Sequence, residues 1–202
     1  MPSDPVTEAI DRSVETLPAE TRLIVAYSGG MDSHVLLHAL SRTPAHDGLR
    51  RLSAIHVNHG LHPDAGEWVF HCERVCRDLR VPLETVEVRV LTEAKEGPEA
   101  AARRARYSAF EQRLQPSDTL LLAHHLDDQA ETFLLQLLRG AGPAGLSAMP
   151  AGAALGSARL MRPLLEVSRN DIRDYAKRHA LAFIEDPGNR ELRYDRNYLR
   201  HE

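Results

Sequence analysis

The sequence predicts an α/β fold, a doubly wound parallel sheet of about five strands followed by a helical C-terminal segment. Short apolar runs without helical periodicity alternate along the chain with longer segments whose apolar residues recur at helical spacing. That alternation is typical of right-handed βαβ units, which build a parallel sheet covered by helices on both faces. The polar segments that carry most of the unusual residues also follow apolar runs, where ligands bind in open sheets.

The predicted elements follow one another in a regular order. An amphipathic pattern over residues 6–17 predicts a first helix. Apolar runs then predict four strands, at residues 22–28, 52–58, 82–88 and 119–124. Periodic segments predict the helices between and after them, at residues 33–43, 65–80, 98–115 and 126–139. The pattern therefore gives four consecutive strand–helix units.

The last part of the chain is less regular. The run "RLMRPLL", residues 159–165, predicts a fifth strand or an extended edge. Ser168 is a good N-cap for the helix predicted in "SRNDIRDYAKRHAL". The tail "FIEDPGNRELRYDRNYLRHE" is polar and arginine-rich and stops on a charged segment with no closing element. We therefore expect the chain to be a fragment, or a short form, of a longer protein.

Composition excludes several classes of protein. The net charge of −4 gives no global nucleic-acid signature, so contact with RNA would need local basic patches. The two cysteines argue against a disulfide framework and fit a reducing compartment. No apolar run reaches transmembrane length, and the start "MPSDPVTEAI" lacks a signal-peptide core. We expect a cytoplasmic protein without membrane contact, and the sequence carries no signal for an oligomeric state.

A glycine-rich turn, "SGGMDS", joins the first strand to the helix after it. Backbone N–H groups at the start of a helix are unpaired and lie at its positive end, and glycines let a phosphate approach them. The turn lacks the lysine of a Walker A loop and the G-x-G-x-x-G of a dinucleotide fold. The simpler alternative to a phosphate site is a tight turn in which Ser or Asp caps the helix. In that case Asp32 is an acidic residue placed at the positive N-terminus of a helix.

A second polar segment, "LLAHHLDDQAET", follows the fourth strand. His124 and His125 end that strand, and Asp128 and Glu131 lie three apart near the start of the next helix, where they can share a face. Clustered acids beside a phosphate site could bind a metal or orient an amine nucleophile. A capping box formed by Asp128 and Glu131 remains the alternative. The opposite, core-facing stripe of this helix is expected to consist of Ala130, Leu134, Leu137 and Leu138.

Other candidate residues have competing explanations. Arg103, Arg104 and Arg106 form either a solvated basic face or a clamp for ATP phosphates or tRNA. A helical stripe that includes both cysteines is expected to be core, and its C-x3-C spacing weakens any iron–sulfur or redox interpretation. The stripe comprises Trp68, Cys72, Val75, Cys76 and Leu79. The histidines at 56, 59 and 62 fit a loop at a nucleotide site better than a zinc site.

The turn "SGGMDS", in its strand–turn–helix context, resembles the pyrophosphate-binding loop of the PP-loop ATP pyrophosphatases, which have an adenine nucleotide alpha hydrolase-like fold. Members of that superfamily cleave ATP between the α and β phosphates and adenylate a substrate oxygen. The resemblance implies ATP and Mg²⁺ as cofactors, with Asp32 as the candidate Mg²⁺ ligand. It implies that the nucleotide contacts Ser28, Gly29, Gly30, Met31, Asp32, Ser33 and His56.

Further segments narrow the resemblance. The runs "HVNHGLHPDAGEW", "EAAARRARY", "AHHLDDQAETFLLQLLRGAGPAGLSAMP", "RPLL" and "EDPGNRELRYDRNYLR" occur in the order found in the tRNA(Ile)-lysidine synthase family, and together they span roughly residues 20–200. That family adenylates C2 of the wobble cytidine of an isoleucine tRNA and then attaches free lysine through its ε-amine. The implied partners are the anticodon region of tRNA(Ile) and free lysine.

The same resemblance implies roles for single residues. Asp128 and Glu131 would act near lysine and the cytosine, and Arg196 would be the basic residue near the substrate. The catalytic set it implies is Asp32, Arg103, His124, Asp128, Glu131 and Arg196. Motif positions whose separate roles stay open are Arg162, Asp186, Asn189, Asn197 and Arg200.

We accordingly assign residues 1–166 to a PP-loop nucleotide-binding catalytic domain and 167–202 to a helical, arginine-rich segment of the same domain. Members of the family usually carry further C-terminal domains that grip the tRNA body. Three alternatives to the lysidine assignment stay open. They are tRNA 2-thiocytidine synthesis, which would need a cluster-binding cysteine pair near the strand ends, an ammonia-using synthetase, and a non-catalytic nucleotide-binding module.

Overall fold

The computed structural model describes residues 4–43, 51–60, 62–90, 97–142 and 145–185. Six helices have the bounds α1 Pro5–Glu15, α2 Met31–Arg42, α3 Ala65–Asp78, α4 Pro98–Glu111, α5 Leu126–Leu138 and α6 Arg169–Arg178. Six strands have the bounds β1 Arg22–Ala26, β2 Leu52–Asn58, β3 Leu83–Glu87, β4 Asp118–Leu121, β5 Gly152–Leu155 and β6 Ala158–Met161. A short 3-10 helix covers Gly145–Ser147.

Local chemistry sets several of these boundaries. The Asp4 carboxylate accepts a hydrogen bond from the Val6 N–H at 3.1 Å, and Pro5 occupies the first helical position of α1. Ser168 caps α6 in the same way, because its hydroxyl accepts a hydrogen bond from the Asp171 N–H at 3.1 Å. The N-cap predicted at Ser168 is therefore confirmed.

All six strands form one sheet in the order β3-β2-β1-β4-β6-β5. The pairs β1–β2, β1–β4, β2–β3 and β4–β6 are parallel, and among the described residues only β5 pairs antiparallel, with β6. The predicted α/β class and the parallel core of the sheet are confirmed. The strand count differs from the prediction by one, because β5 was not expected.

The missing strand lies in the Ala/Gly-rich stretch "GAGPAGLSAMPAGAALGSA". Three of its four residues are exposed, and only Leu155 is buried, so the strand shows neither an apolar run nor an alternating pattern. Its partner β6 ends at Met161, whereas the apolar run predicted a strand over residues 159–165. The residues that follow Met161 form turns and a bend that lead to α6.

Two hydrophobic clusters cover the two faces of the sheet. The larger cluster joins the sheet to α1, α2, α3 and α6, with contributions from Ile10, Leu36, Cys72 and Ile172. The smaller cluster packs α4 against the opposite face, chiefly through Phe110. Central strands are buried on both sides, which is why β1 has a continuous apolar run and why all four residues of β4 are buried, including the polar Asp118 and Thr119.

The orientation of α5 differs from the prediction. The expected core-facing stripe, Ala130, Leu134, Leu137 and Leu138, is exposed, with Leu138 at 74%. The acidic residues Asp128 and Glu131 face inward instead, each 7% exposed. The prediction for the stripe is wrong because helical spacing defines the two faces of α5 but not which of them packs inward, and here the acidic face does.

The stripe on α3 was predicted correctly in its central part. Cys72, Val75 and Cys76 are buried, and Leu79 packs against the larger cluster. Trp68 is partly exposed and stacks on His62, with ring centroids 4.7 Å apart. No helix within the described ranges has both the length and the apolar composition needed to cross a lipid bilayer.

Candidate functional site

The strand order creates a crevice at one end of the sheet. From β1 the chain runs outward through β2 and β3, and it then returns to place β4 on the other side of β1. Helix connections therefore leave the carboxyl ends of β1 and β4 in opposite directions, and ligands bind in open sheets at such a point. The two segments singled out from the sequence, residues 28–33 and 124–131, follow β1 and β4. The fold thus brings them to one edge.

A network of serine hydroxyls holds the turn after β1. The Ser28 N–H donates to Ser33 Oγ at 3.2 Å, and the two hydroxyls are 3.0 Å apart. Ser33 Oγ also donates to the Gly30 carbonyl at 3.0 Å, while Ser28 Oγ accepts from the Gly30 N–H at 3.3 Å. Gly30 is the N-cap of α2 and offers no side-chain acceptor, so an anionic ligand can satisfy the first-turn N–H groups.

Gly29 lies at the tightest point of this turn. Its φ of +86° is in the left-handed region, which favours glycine. A Cβ at Gly29 would lie 2.5 Å from Cδ1 of Ile184 and 3.0 Å from Sγ of Cys72. The Ile184 N–H also donates to the Gly29 carbonyl at 3.0 Å. The segment after α6 therefore packs directly on the turn and fixes its backbone.

Residue 182 makes a second contact between that segment and α2. The ring nitrogen Nδ1 of His34 donates to the Ala182 carbonyl at 2.9 Å. Burial lowers the pKa of His34, which is 5% exposed. The neutral ring thus joins the start of α2 to the segment that covers Gly29.

A buried histidine connects the turn to the acids of α5. Nε2 of His125 lies 3.7 Å from Oδ2 of Asp32 and 3.6 Å from Oδ2 of Asp128, and its Nδ1 lies 3.6 Å from Oδ2 of Asp127. The imidazole is only 2% exposed. Sequence reasoning assigned a role to His124 and missed this one. Neighbouring residues in extended backbone point to opposite sides, which was the signal that only one of the two histidines could face the acids.

The two aspartates also serve the helix ends. The Asp128 carboxylate accepts a hydrogen bond from the His125 N–H at 3.0 Å, and His125 and Asp128 form a capping box at the start of α5. Asp127 accepts a hydrogen bond from the N–H of Arg169 at 2.9 Å, which ties the start of α5 to the start of α6. Asp128 therefore has a structural role in capping as well as a place beside Asp32, with His125 between them.

His124 lies on the other side of the strand end and contacts a buried arginine. Nε of Arg162 donates to Nδ1 of His124 at 3.2 Å, and its Nη1 donates to the Pro150 carbonyl at 2.7 Å. Arg162 is 9% exposed; burial lowers the pKa of its guanidinium, and the nearby Tyr107 hydroxyl acts to raise that pKa. The Tyr107 hydroxyl accepts a hydrogen bond from Arg103 at 3.2 Å. A continuous polar chain thus runs from His124 to α4.

The arginines of α4 differ in what they contact. The guanidinium of Arg103 is exposed and lies over the ring of Tyr107, 4.8 Å from its centroid. Arg106 reaches the end of β2, where its Nε and Nη2 both lie 3.4 Å from Nε2 of His59. Burial, followed by the charge of Arg106, lowers the pKa of His59 to about 4, so the neutral ring can accept these hydrogen bonds.

His56, assigned to the nucleotide from the sequence, lies under the turn. It is 5% exposed, and its Nδ1 donates to the carbonyl of Tyr27 at 2.9 Å, the residue before Ser28. Sγ of Cys72 is 3.5 Å from the same nitrogen. Burial lowers the pKa of His56, and the ring supports the backbone at the end of β1.

Both cysteines belong to the interior. Cys72 and Cys76 are 0% and 1% exposed, and burial raises the pKa of each thiol to about 12. Thiols in this state are poor nucleophiles and poor metal ligands. Within the described ranges, no group of three or more His, Cys, Asp or Glu side chains is arranged to hold a metal ion by itself. Mg²⁺ commonly takes only one or two carboxylates together with phosphates and water, so Asp32 still suits it.

Five predicted residues lie outside the described ranges: Asp186, Asn189, Arg196, Asn197 and Arg200. The structure adds three residues that sequence reasoning did not assign to the site: His125, Tyr107 and Ile184. Tyr107 and Ile184 gave no signal, because their importance comes from contacts with residues distant in sequence.

The sequence of this chain matches a known family and several curated proteins. Residues 3–202 match a family model described as a PP-loop domain. A tRNA(Ile)-lysidine synthase from Coxiella burnetii is 48% identical over 195 residues, which are 96% of this chain and 43% of that protein. One from Pseudomonas aeruginosa is 52% identical over 178 residues, 88% of this chain and 40% of that protein. The chain spans about two fifths of the length of these relatives.

Solved structures share the fold at low sequence identity. A U34-tRNA thiolase from Methanococcus maripaludis, solved with a [4Fe-4S] cluster, superposes with a TM-score of 0.71 at 16% identity, over 90% of this chain and 65% of that one. An NH3-dependent NAD synthetase from Campylobacter jejuni superposes with a TM-score of 0.55 at 14% identity, over 87% of this chain and 71% of that one. At such low sequence identity, the similarity to these structures shows a shared fold and nothing more.

Proposed function

This chain belongs to the PP-loop domain family, and on that premise we propose that it carries the catalytic site of a tRNA(Ile)-lysidine synthase. The substrates would be ATP, free lysine and the wobble cytidine of an isoleucine tRNA. The curated relatives, about half of whose aligned residues are identical to those of this chain, bear that name. A cytoplasmic location follows from these substrates as part of the same proposal.

The proposed reaction has two steps. In the first, the C2 oxygen of cytosine attacks the α-phosphorus of ATP, the bond to the β-phosphate oxygen breaks, and pyrophosphate leaves. In the second, the ε-amine of lysine attacks C2, AMP leaves with the oxygen, and one proton is lost from the nitrogen. Adenylation is needed because the cytosine oxygen is a poor leaving group. The cytosine must also leave its stack to enter such a pocket.

The turn after β1 would bind the phosphates of ATP. First-turn N–H groups of α2 are hydrogen-bond donors held in place by the Ser28–Ser33 network, and the two hydroxyls would turn from that network to the phosphate oxygens. Asp32, at the start of α2, would hold Mg²⁺, since a carboxylate beside phosphate oxygens is the donor set that this ion prefers. The ion would neutralise charge that develops on the pyrophosphate.

The inward face of α5 would bind lysine. The Asp128 and Glu131 carboxylates are buried on one side of the helix, and an ammonium group can offset the cost of burying them. Arg103, on the exposed face of α4, and Arg196 would contact phosphate or tRNA, as arginines suit such oxygens. His124 completes the proposed catalytic set. The division of the chain into a catalytic domain, residues 1–166, and a C-terminal segment, residues 167–202, stays a prediction.

The observation that best supports the proposal is the position of His125. Its imidazole lies within 3.7 Å of both Asp32 in the phosphate turn and Asp128 in α5. The groups proposed for the two half-reactions are therefore neighbours, as consecutive transfer to one carbon requires.

The experiment is mass spectrometry of tRNA nucleosides. The chain is incubated with ATP, lysine and an isoleucine tRNA transcript with cytidine at the wobble position, and the tRNA is digested to nucleosides. We expect a cytidine derivative that carries lysine, with AMP and pyrophosphate as the other products. A transcript with uridine at the wobble position is the matched control and should stay unmodified.

The alternatives give different products in the same assay. A 2-thiocytidine would indicate a thiolase, and ADP in place of AMP would contradict PP-loop chemistry. Absence of both nucleotide cleavage and modified nucleoside, with all substrates present, would favour a non-catalytic nucleotide-binding module. Because the chain spans two fifths of its relatives, the anticodon stem-loop is tested beside the whole tRNA at raised concentration.

A further inference from the structure

The contact between Arg162 and His124 determines which nitrogen of that ring carries a proton. The Arg162 guanidinium has only donors and stays protonated at neutral pH. Its Nε–H points to Nδ1 of His124 at 3.2 Å, so Nδ1 must be the acceptor. A nitrogen that accepts a hydrogen bond carries no proton, and the proton of a neutral ring then lies on Nε2.

The guanidinium is itself held firmly. Its Nη1 donates to the Pro150 carbonyl at 2.7 Å. The Pro150 loop is fixed in turn by Gln129 of α5, whose side chain donates to the Met149 carbonyl at 2.8 Å and accepts from the Met149 N–H at 2.7 Å. A cation that is 9% exposed and has these fixed acceptors cannot easily turn away from His124.

From this geometry we propose that Arg162 is a positioning residue that holds His124 in the neutral Nε2–H tautomer, so that His124 meets the substrate as a hydrogen-bond donor and not as a proton acceptor. The part that concerns the substrate rests on the proposed function. In that reaction a donor can stabilise charge on a phosphate or on the cytosine oxygen as AMP leaves. A group other than His124 then removes the proton from the lysine ammonium.

The tautomer can be measured without any activity. Protein labelled with ¹⁵N at histidine is examined by two-bond ¹H–¹⁵N correlation at neutral pH, and the His124 signals are assigned by their loss in His124→Gln. We expect the pattern of an Nε2–H ring. An Nδ1–H pattern, or a doubly protonated ring, would overturn the proposal even if lysidine is formed.

Two arginine variants separate positioning from general charge effects. Arg162→Met removes the donor, and we expect the His124 signals to move toward a mixture of tautomers. Arg159→Met is the control, because Arg159 is exposed on β6, the strand that ends at Met161 just before Arg162, and its loss should leave those signals unchanged. An unchanged pattern in a folded Arg162→Met protein would also overturn the proposal. If that variant does not fold by circular dichroism, the wild-type pattern alone decides.

Activity gives an independent test of the donor role. The amide nitrogen of glutamine can replace a ring Nε2–H, whereas alanine cannot. We expect His124→Gln to retain at least about ten times the kcat of His124→Ala. A general base would instead lose about 10²- to 10⁴-fold in both variants, and that result would contradict the donor role. If the wild-type chain forms no lysidine, the proposed function fails while the tautomer measurement still stands.

Discussion

Replacement of Gly29 by alanine tests the account of the phosphate turn. The new methyl group would meet Cδ1 of Ile184 at 2.5 Å and Sγ of Cys72 at 3.0 Å, both closer than a normal contact. The backbone would also have to keep a φ of +86° with a side chain present. Gly29→Ala should therefore destabilise the fold and distort the turn.

The magnitude has two parts. A side chain in the left-handed region costs about 1–2 kcal/mol. Crowding against a packed neighbour adds about 1–3 kcal/mol, and the lower part of that range applies because Cδ1 is the mobile end of Ile184 while Cys72 is buried in α3. We expect a loss of roughly 3 kcal/mol in the free energy of unfolding, which for a chain of this size lowers the Tm by about 6–12 °C.

The assay is chemical and thermal unfolding followed by circular dichroism, with Gly30→Ala as the matched control. Gly30 has a φ of −73°, and a Cβ there would lie 3.5 Å from Ser28 Oγ, an ordinary contact. We expect its replacement to change stability by about 1 kcal/mol or less, since a weaker N-cap is offset by lower entropy of the unfolded chain. Equal effects at the two glycines would refute the reasoning.

Combining the substitution with Ile184→Val separates the two parts. Removal of Cδ1 relieves the steric contact but leaves the strained φ. We expect the double variant to recover about 1 kcal/mol relative to the sum of the single changes, the size usual for residues in contact. Strict additivity would mean that the Ile184 contact contributes nothing.

Three carboxylate substitutions test other parts of the structure. Asp32→Ala should lose most ATP cleavage with an unchanged circular dichroism spectrum, and retained activity with the same Mg²⁺ requirement would contradict its proposed role. Asp128→Asn keeps the capping ability but removes the charge, so labelled-lysine incorporation should fall more than tRNA-dependent ATP–pyrophosphate exchange. An equal fall in both activities would indicate that Asp128 is a metal ligand. No fall in either would indicate that Asp128 only caps the helix. Burial acts to raise the pKa of Asp118, but hydrogen bonds from Arg22 and from the Gln115 N–H, with the charge of Arg22, hold it below its ordinary value. Asp118 therefore stabilises the fold above its unfolded pKa and loses that contribution as the pH falls through its folded pKa. Asp118→Asn should lower the free energy of unfolding at neutral pH by about 2 kcal/mol, less than for a fully buried pair because the Arg22 side chain is 37% exposed. The Tm should also become less sensitive to acid, and an unchanged pH profile of the Tm would count against the ion pair.

Sequence patterns were sufficient where a feature depends on neighbouring residues. The apolar runs located β1 to β4, and the glycines and serines of residues 28–33 located the turn after β1, because strand burial and phosphate approach both leave a local signature. The strand ends could be placed at one edge from topology alone.

Features that depend on distant residues could not be read in the same way. Nothing in the local pattern pairs Arg162 with His124, or Ile184 with Gly29, since these contacts exist only once the sheet is assembled. The helix α5 shows the limit of periodicity, because spacing gives the two faces of a helix but not which one meets the protein. The buried Asp128 and Glu131 satisfy the same spacing as core leucines would.

The hydrogen bond from Ile184 to Gly29 also has a consequence for the order of assembly during synthesis. The turn after β1 leaves the ribosome early, but the residue that fixes it is made only after α6. A nascent chain that has not yet reached residue 184 can form β1 and α2 without this support for Gly29. We therefore expect nucleotide affinity to arise late, after the sheet and α6 have been made, and not with the turn alone. Stalled nascent chains ending on either side of this point, probed with a crosslinkable ATP analogue, would show equal labelling if the turn were autonomous.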